Sequence, residues 1–337
     1  MKQIPSSELK TILHSKRANL YYLEHCRVLV KGGRVEYVTD DNRRSLYWNI
    51  PIANTTSILL GPGTSVTQAA MRELGKAGVS VGFCGGGGTP LFSATETGRP
   101  TVEAENDEEP ILWFSPQSEY RPTEYLQAWV KMWFDEPKRL AAAKELQFRR
   151  LLRLNRFWGA ALKQAGYPTD LEKFDQAVLA AGHNMQSARD IMTLLAEEGR
   201  LTKILFGLTA QSVKYGEFTR AKKGAGEDQA NRFLDHGNYL AYGLAATATW
   251  VLGLPHGLAV LHGKTRRGGL IFDVADLVKD SAILPQAFIS AMKGDSEEDF
   301  RSACVENLTQ TEALDFMIES LKAVAALFGG SSLEGRP

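Results

Sequence analysis

The stretch "RVLVKGGRVEYV", Arg27 to Val38, consists of two β-rich runs separated by Gly32-Gly33. Paired glycines between such runs mark a tight hairpin, because both turn positions need backbone angles that a Cβ disfavours. Working outward, "SLYWNI" and "TTSILLG" continue in the same style, and "VSVGF" and "TPLF" supply further short strands. Between them "TSVTQAAMRELGKAG" sets Ser65 three residues before Gln68, a capping-box spacing, ahead of good helix formers that stop at Gly78. The reading is a β-rich domain over residues 1–95 with one helix packed on its sheet. The glycine run Gly85 to Gly88 lacks the Lys-Ser/Thr of a phosphate loop and opens no helix, so it is read as a tight turn.

The pattern changes after residue 95. "ATETGRPTVEAENDEEP" carries five acids between Glu103 and Glu109, which suits a solvated connector over residues 96–122. From residue 123 to 330 apolar residues recur at three and four, as in "TEYLQAWVKMWF" and in "PKRLAAAKELQFRRLLRLNRFWGAALKQAG" with Pro137 at a helix start. Arg149, Arg150, Arg153 and Arg156 give the second of these a basic flank, read as a solvated face. "LAYGLAATATWVLGLPHGLAVL", from Leu240, is interrupted by Gly253, Pro255 and His256, and is read as a buried core helix with a break near Pro255 instead of a membrane span. Residues 331–337 read as a flexible tail. The fold class is therefore α+β in two domains, a β-rich N-terminal domain followed by an all-α C-terminal domain.

Composition narrows the class of function. The 337 residues balance 39 Lys plus Arg against 39 Asp plus Glu, so no global field draws the chain to nucleic acid and any such binding must come from local patches. Cys26, Cys84 and Cys304 are too dispersed for a zinc site or a disulfide scaffold, and read as reduced thiols of a cytoplasmic protein. The N-terminal "MKQIPSSELKTILHSKR" has no apolar core of the kind a secretion signal needs.

The most informative anomaly lies in "SARDIMTLLAEEGRLTKILFGL". Its apolar stripe runs Ile191, Leu194, Leu195, Leu201, Thr202 and Leu205, and the position that completes it is Glu198. Glu197 is turned away onto the flank of Asp190 and Arg200. An inward carboxylate must recover its lost solvation from a cation, a metal or a proton. In "LHGKTRRGGLIFDVADLVKD", Leu261 to Asp280, a helix from Ile271 brings Asp273, Asp276 and Asp280 to one side, which alone reads as an ordinary solvated polar arc. His262 alone reads as a hydrogen-bonded structural histidine. With Glu198 these residues form a mixed nitrogen and oxygen donor set that suits Mg²⁺ or Mn²⁺, and Lys264, Arg266 and Arg267 supply charge to grip a phosphate beside it. No G-x-S-x-G elbow occurs, and Asp235-His236 reverses the order of the metal phosphohydrolase doublet.

Together, "LLGPGTSVTQAAMRELGKAGVSVGFCGGGG", "LLAEEGRLTKILF" and "VLHGKTRRGGLIFDVADLVKD" resemble the CRISPR-associated adaptation integrases, the metal-dependent nucleases that insert new spacers into a CRISPR array during antiviral defence. The acidic connector and the "HGKTRRGG" wording resemble the subtype I-F branch. The resemblance implies an N-terminal domain that mediates homodimerisation and a helical C-terminal domain that holds the active site. It implies a metal triad of Glu198 in "EEG", His262 in "HGK" and Asp276 in "FDVAD", with Asp273 also important for activity. It further implies strand transfer onto double-stranded DNA, both prespacer and array, by 3′-hydroxyl attack, and a second small adaptation protein that in subtype I-F is fused to the helicase-nuclease. DNA-contact candidates are Lys264, Arg266 and Arg267, then Lys214, Arg220, Lys222 and Lys223 in "KYGEFTRAKKGAG", and the Arg149 to Arg156 flank. The rival readings are a stand-alone structure-specific nuclease acting on branched DNA and a non-enzymatic DNA-binding scaffold.

Overall fold

The computed structural model describes residues 19–41, 44–84, 112–114, 123–221, 228–263 and 268–329. The chain divides into two compact units, Met1–Arg121 and Pro122–Pro337. Gly85 to Gly88, "TPLF" and residues 331–337 lie outside the described residues.

The first unit holds β1 (Asn19–Leu23), β2 (Arg27–Lys31), β3 (Arg34–Asp41), β4 (Arg44–Asn49), β5 (Thr55–Leu60), β6 (Ser65–Val66), α1 (Gln68–Lys76), β7 (Ser80–Phe83) and β8 (Leu112–Phe114). They form two sheets, ordered β1-β5-β7-β8 and β4-β3-β2-β6. The expected hairpin joins β2 to β3, antiparallel with Lys31 opposite Arg34. Gly32 at φ 57° and Gly33 at φ 76° make the left-handed turn that the sequence demands. That register places Val28 and Val35 in a core shared with Ile58 and Leu60 of β5, Ala70 and Leu74 of α1, and Val81 of β7.

Two expectations need correction here. Ser65 does not cap α1: its amide donates to the Cys26 carbonyl in the β2-β6 ladder, so it is committed to the sheet. The cap moves on to Thr67, whose hydroxyl accepts from the Ala70 amide at 3.2 Å. Within the stretch expected to be connector, Leu112–Phe114 form β8, antiparallel to β7. Five acids nearby masked a short apolar run that gains a ladder by covering a sheet edge.

The second unit, among its described residues, is entirely helical. It runs α2 (Thr123–Trp133), α3 (Glu136–Gln164), α4 (Leu171–Ser187), α5 (Ile191–Val213), α6 (Gln229–Val251), α7 (Gly269–Val278), one π-helical turn (Lys279–Ile283), α8 (Leu284–Lys293), α9 (Glu297–Gln310) and α10 (Ala313–Gly329). Asp135, Asp170, Asp190 and Asp228 cap the N-termini of α3 to α6 by accepting from backbone amides one turn on. Pro137 sits in the first turn of α3, as expected. Helix α6 ends ahead of Pro255, and its Thr247 and Thr249 hydroxyls donate to the Gly243 and Ala245 carbonyls one turn back. Among the described residues no helix is long and apolar enough to cross a membrane. Helix α6 meets the π turn and α9 at Gly237, where an added Cβ would lie 2.4 Å from Ile283 Cγ2 and 2.9 Å from Phe300 Cζ. This close crossing fixes the π turn, and the π turn carries two residues of the site.

All three cysteines are free and buried. Burial raises the Cys26 and Cys304 thiols and pushes Cys84 up to about 12, so little thiolate forms near neutrality. A chromogenic disulfide reagent at pH 8 should therefore find no fast thiol in the native protein and three after denaturation, whereas a rapid native stoichiometry of one or more would contradict this packing.

Candidate active site

Glu198 occupies the inward stripe of α5 as the periodicity required, and its compensation is a cation. Its Oε1 accepts from Arg150 Nη1 at 3.0 Å and from Thr202 Oγ1 at 3.2 Å. Glu197 points elsewhere: it accepts from Asn184 Nδ2 at 3.0 Å and lies 3.6 Å from Arg200. One residue of helical rotation separates a site carboxylate from a flank carboxylate.

The solvated basic flank expected on α3 is half wrong. Arg150 is 1% exposed and Arg153 is 5% exposed. Both lie on the face that buries Leu146 and Leu154; Arg150 is partnered throughout, whereas the buried Nε of Arg153 has no hydrogen-bond partner. Besides Glu198, the Arg150 guanidinium donates through Nε to Asp280 Oδ2 at 2.9 Å, through Nη1 to Gln147 at 3.0 Å and through Nη2 to Thr202 at 2.8 Å. Arg153 donates to the Thr311 carbonyl and hydroxyl and lies between the Phe157 and Phe316 rings, 4.9 and 4.8 Å from their centroids. Arg149, bonded to Glu145, and the exposed Arg156 do form a solvated flank.

The polar arc expected on α7 is not solvated. Asp273 and Asp276 are each 2% exposed and Asp280 is 4% exposed. The apolar residues on both sides of them are buried too, so this helix is wrapped all round and the amphipathic reading failed. Asp273 Oδ2 accepts from the Val260 and Leu261 amides at 2.7 and 3.1 Å. Its Oδ1 accepts from the His262 amide at 3.0 Å and faces His262 Nδ1 at 2.8 Å. A single carboxylate thus shapes the 260–262 turn and orients its imidazole; in the neutral ring Nδ1 carries the proton and Nε2 the lone pair. Gly269, opening α7, would place a Cβ 2.8 Å from the His262 carbonyl oxygen, so α7 approaches that turn at glycine distance. Asp276 ion-pairs through Oδ1 with Lys279, and its Oδ2 is buried without a hydrogen-bond partner. Asp280, carried on the π turn, pairs with Arg150.

These groups share one electrostatic field. Burial alone would raise the Glu198 carboxyl, but Arg150, then Lys279 and His262, hold it down at about 2. Burial would lower His262, yet its bond to Asp273 and the charge of Asp276 raise it above the ordinary imidazole value. Burial would also lower Lys279, yet Asp276, Glu198 and Asp280 raise it. The four carboxylates Glu198, Asp273, Asp276 and Asp280 formally outnumber the cations Arg150 and Lys279 by two. The donors suit a hard divalent ion: two carboxylates, one of them with an orphaned buried oxygen, and an imidazole oriented by a third. Among the described residues no three His, Cys, Asp or Glu side chains already close on one point, because Glu198 faces Arg150 and Asp276 faces Lys279.

The expected DNA contacts fare unevenly. Lys214 is exposed at the end of α5, with φ 59°. Arg220 instead bonds Asn231 Oδ1 at 2.7 Å and pairs with Asp235, anchoring its loop to α6. Its guanidinium is half-buried against these partners. Lys222, Lys223, Lys264, Arg266 and Arg267 lie outside the described residues. Sequence reasoning missed Arg150, Thr202 and Lys279 as members of the site, and Asp280, which it grouped with the other acids, pairs with Arg150. The available signal was that Arg150 shares the spacing of buried leucines and Lys279 follows Asp276 by one helical turn.

Because the Glu198 carboxyl lies at about 2 in the fold against about 4.3 in an unfolded chain, it contributes stability above the unfolded value that is lost as pH falls from about 4.5 toward 2. The stability difference between wild type and Glu198→Gln, measured by urea unfolding, should shrink by on the order of 2 kcal/mol from pH 6 to pH 3. A difference independent of pH would rule out the Arg150 pairing as the compensation for this carboxylate.

A family model described as CRISPR associated protein Cas1 matches residues 93–303. The CRISPR-associated endonuclease Cas1 of Pseudomonas aeruginosa (strain UCBPP-PA14) is 66% identical over 327 residues, 96% of this chain and 98% of that protein. The protein of the same name from Pectobacterium atrosepticum is 60% identical over 95% of this chain and 96% of its own length. Among solved structures, a casposase bound to integration product shares the fold with a TM-score of 0.66 at 13% identity, covering 93% of this chain and 92% of that one. The chain belongs to the CRISPR-associated Cas1 protein family.

Proposed function

We propose that this chain is a divalent-metal-dependent DNA endonuclease and strand transferase that inserts spacers into a CRISPR array. The observation that carries the chemistry is the buried cluster itself: a surplus of two formal negative charges, an imidazole oriented by Asp273, and the orphaned Oδ2 of Asp276. The names of its relatives, CRISPR-associated endonucleases, and a fold shared with a casposase bound to integration product supply the reaction class. Glu198, His262 and Asp276 would hold Mg²⁺ or Mn²⁺, which when bound supplies charge stabilisation at a scissile phosphate.

The chain's own residues do the positioning. Arg150 and Thr202 fix the Glu198 carboxylate, Asp280 and Gln147 fix Arg150, and Asp273 fixes both the ring and the backbone of His262. These contacts set the starting positions of the donors, and Glu198 and Asp276 must turn from Arg150 and Lys279 to share an ion. In strand transfer a DNA 3′-hydroxyl attacks phosphorus, a new ester bond forms as the old one breaks, and a different 3′-hydroxyl departs. With water as nucleophile the same site is an endonuclease. Exposed Lys214 supports a contact to the phosphate backbone of double-stranded prespacer or array DNA. Lys222, Lys223, Lys264, Arg266 and Arg267 extend that proposal on charge alone.

In the N-terminal unit, β4 is an edge strand exposed along its whole length, with Leu46, Tyr47 and Trp48 among the exposed large hydrophobics. Such an edge supports a homodimer formed through this unit. The chain works in the cytoplasm with a second small adaptation protein.

The test joins a 3′-hydroxyl DNA duplex to a CRISPR target in Mg²⁺ or Mn²⁺ against chelator, with wild type and His262→Ala. Joined product should vanish in chelator and fall at least about a hundredfold in the folded variant. Equal product with chelator rejects the metal mechanism, and cutting without joining favours a stand-alone nuclease. In sedimentation velocity, Trp48→Glu should shift the wild-type dimer toward monomer; an unchanged dimer excludes β4 as the interface.

A further inference from the structure

Lys279 stands where two requirements conflict. It begins the π turn after α7, its ammonium pairs with Asp276 Oδ1, and its charge also acts on Glu198 and Asp280. The other oxygen of Asp276 is buried without a partner. One carboxylate therefore has one oxygen satisfied by an ammonium and the other uncompensated. A divalent cation on Asp276 beside that ammonium would put three positive charges around one buried carboxylate, and like charges repel steeply where solvent is excluded. The ion and the ammonium compete for the same group.

We propose that Lys279 is a built-in counter-ion that holds Asp276 in the absence of metal and gives it up when a divalent ion binds. The inference rests on the metal reading given above. Its role is to position: the ammonium limits repulsion among Glu198, Asp276 and Asp280 while the fold lacks an ion, and it weakens ion binding by the free energy of breaking its own pair. Site occupancy thereby follows the concentration of divalent ion, where an uncompensated carboxylate cluster would bind it more tightly. Arg150 faces a second metal donor, Glu198, but Gln147, Thr202 and Asp280 hold its guanidinium in place when that carboxylate turns to the ion, so Lys279 is the cation that has to let go.

The experiment uses the full-length protein at one pH, with Mn²⁺ alone as the probe. Affinity is read by isothermal titration calorimetry, and thermal unfolding is followed with chelator and with saturating Mn²⁺. Lys279→Met and Lys279→Gln should each bind Mn²⁺ about tenfold more tightly than wild type, the size expected for one partly buried ion pair. Both should unfold earlier than wild type in chelator, and Mn²⁺ should close most of that gap. Lys279→Arg, which keeps a cation in place, should track wild type. Lys279→Gln carries the comparison if Lys279→Met fails to fold. Equal or weaker Mn²⁺ binding by the neutral variants, or the same gap with and without Mn²⁺, overturns the proposal and leaves Lys279 a structural residue. His262→Ala separates the two levels: if it binds Mn²⁺ as wild type does, the metal triad fails, whereas loss of binding there with no gain in the Lys279 variants sinks only the counter-ion.

Discussion

A buried guanidinium organises the helical unit. Arg150 lies in the middle of α3, yet its donors reach Glu198 and Thr202 on α5 and Asp280 on the π turn. Removing a cation of this kind from water costs several kcal/mol unless every donor is met, and here its partners come from three separated segments. The arrangement therefore fixes the relative positions of α3, α5 and the α7–α8 corner more sharply than apolar packing would. It holds one carboxylate of the site directly and brings the π turn that carries Lys279 into place.

From that constraint the chemistry follows in steps. The π turn is pinned by the close crossing at Gly237, and it directs Lys279 to Asp276 and Asp280 to Arg150. At its other end α7 approaches the 260–262 turn at Gly269, and Asp273 completes the link by accepting three backbone amides and facing the imidazole. The acids on α7 and the turn after it differ in what they do. Asp273 orients, Asp276 faces a displaceable cation, and Asp280 anchors. Identical side chains acquire distinct roles from the charges around them.

Much of this was legible in the sequence, and the failures share one cause. The Gly32-Gly33 hairpin, the strand runs that fall within the described residues and the helical periodicity are local properties, and each appears in the structure. Glu198 was legible because a charge interrupts an otherwise apolar stripe, which one helix suffices to reveal. Arg150, Lys279 and the burial of Asp273, Asp276 and Asp280 were not, since charges on helices ordinarily mark solvent. A buried charge with its partner more than a hundred positions away, as Arg150 is from Asp280, leaves no local trace. The Ser65 cap failed for a related reason: its amide was already taken by a strand that enters from Cys26.

The central claim is that Glu198, His262 and Asp276 accept one divalent ion inside this charge cluster. The most direct measurement is anomalous diffraction from Mn²⁺-soaked crystals at the manganese absorption edge. The predicted result is one strong peak within about 2–2.5 Å of an oxygen of Glu198, an oxygen of Asp276 and the Nε2 of His262. A peak that touches none of the three, or none at all in crystals whose dissolved protein shows Mn²⁺-dependent strand transfer, would contradict it.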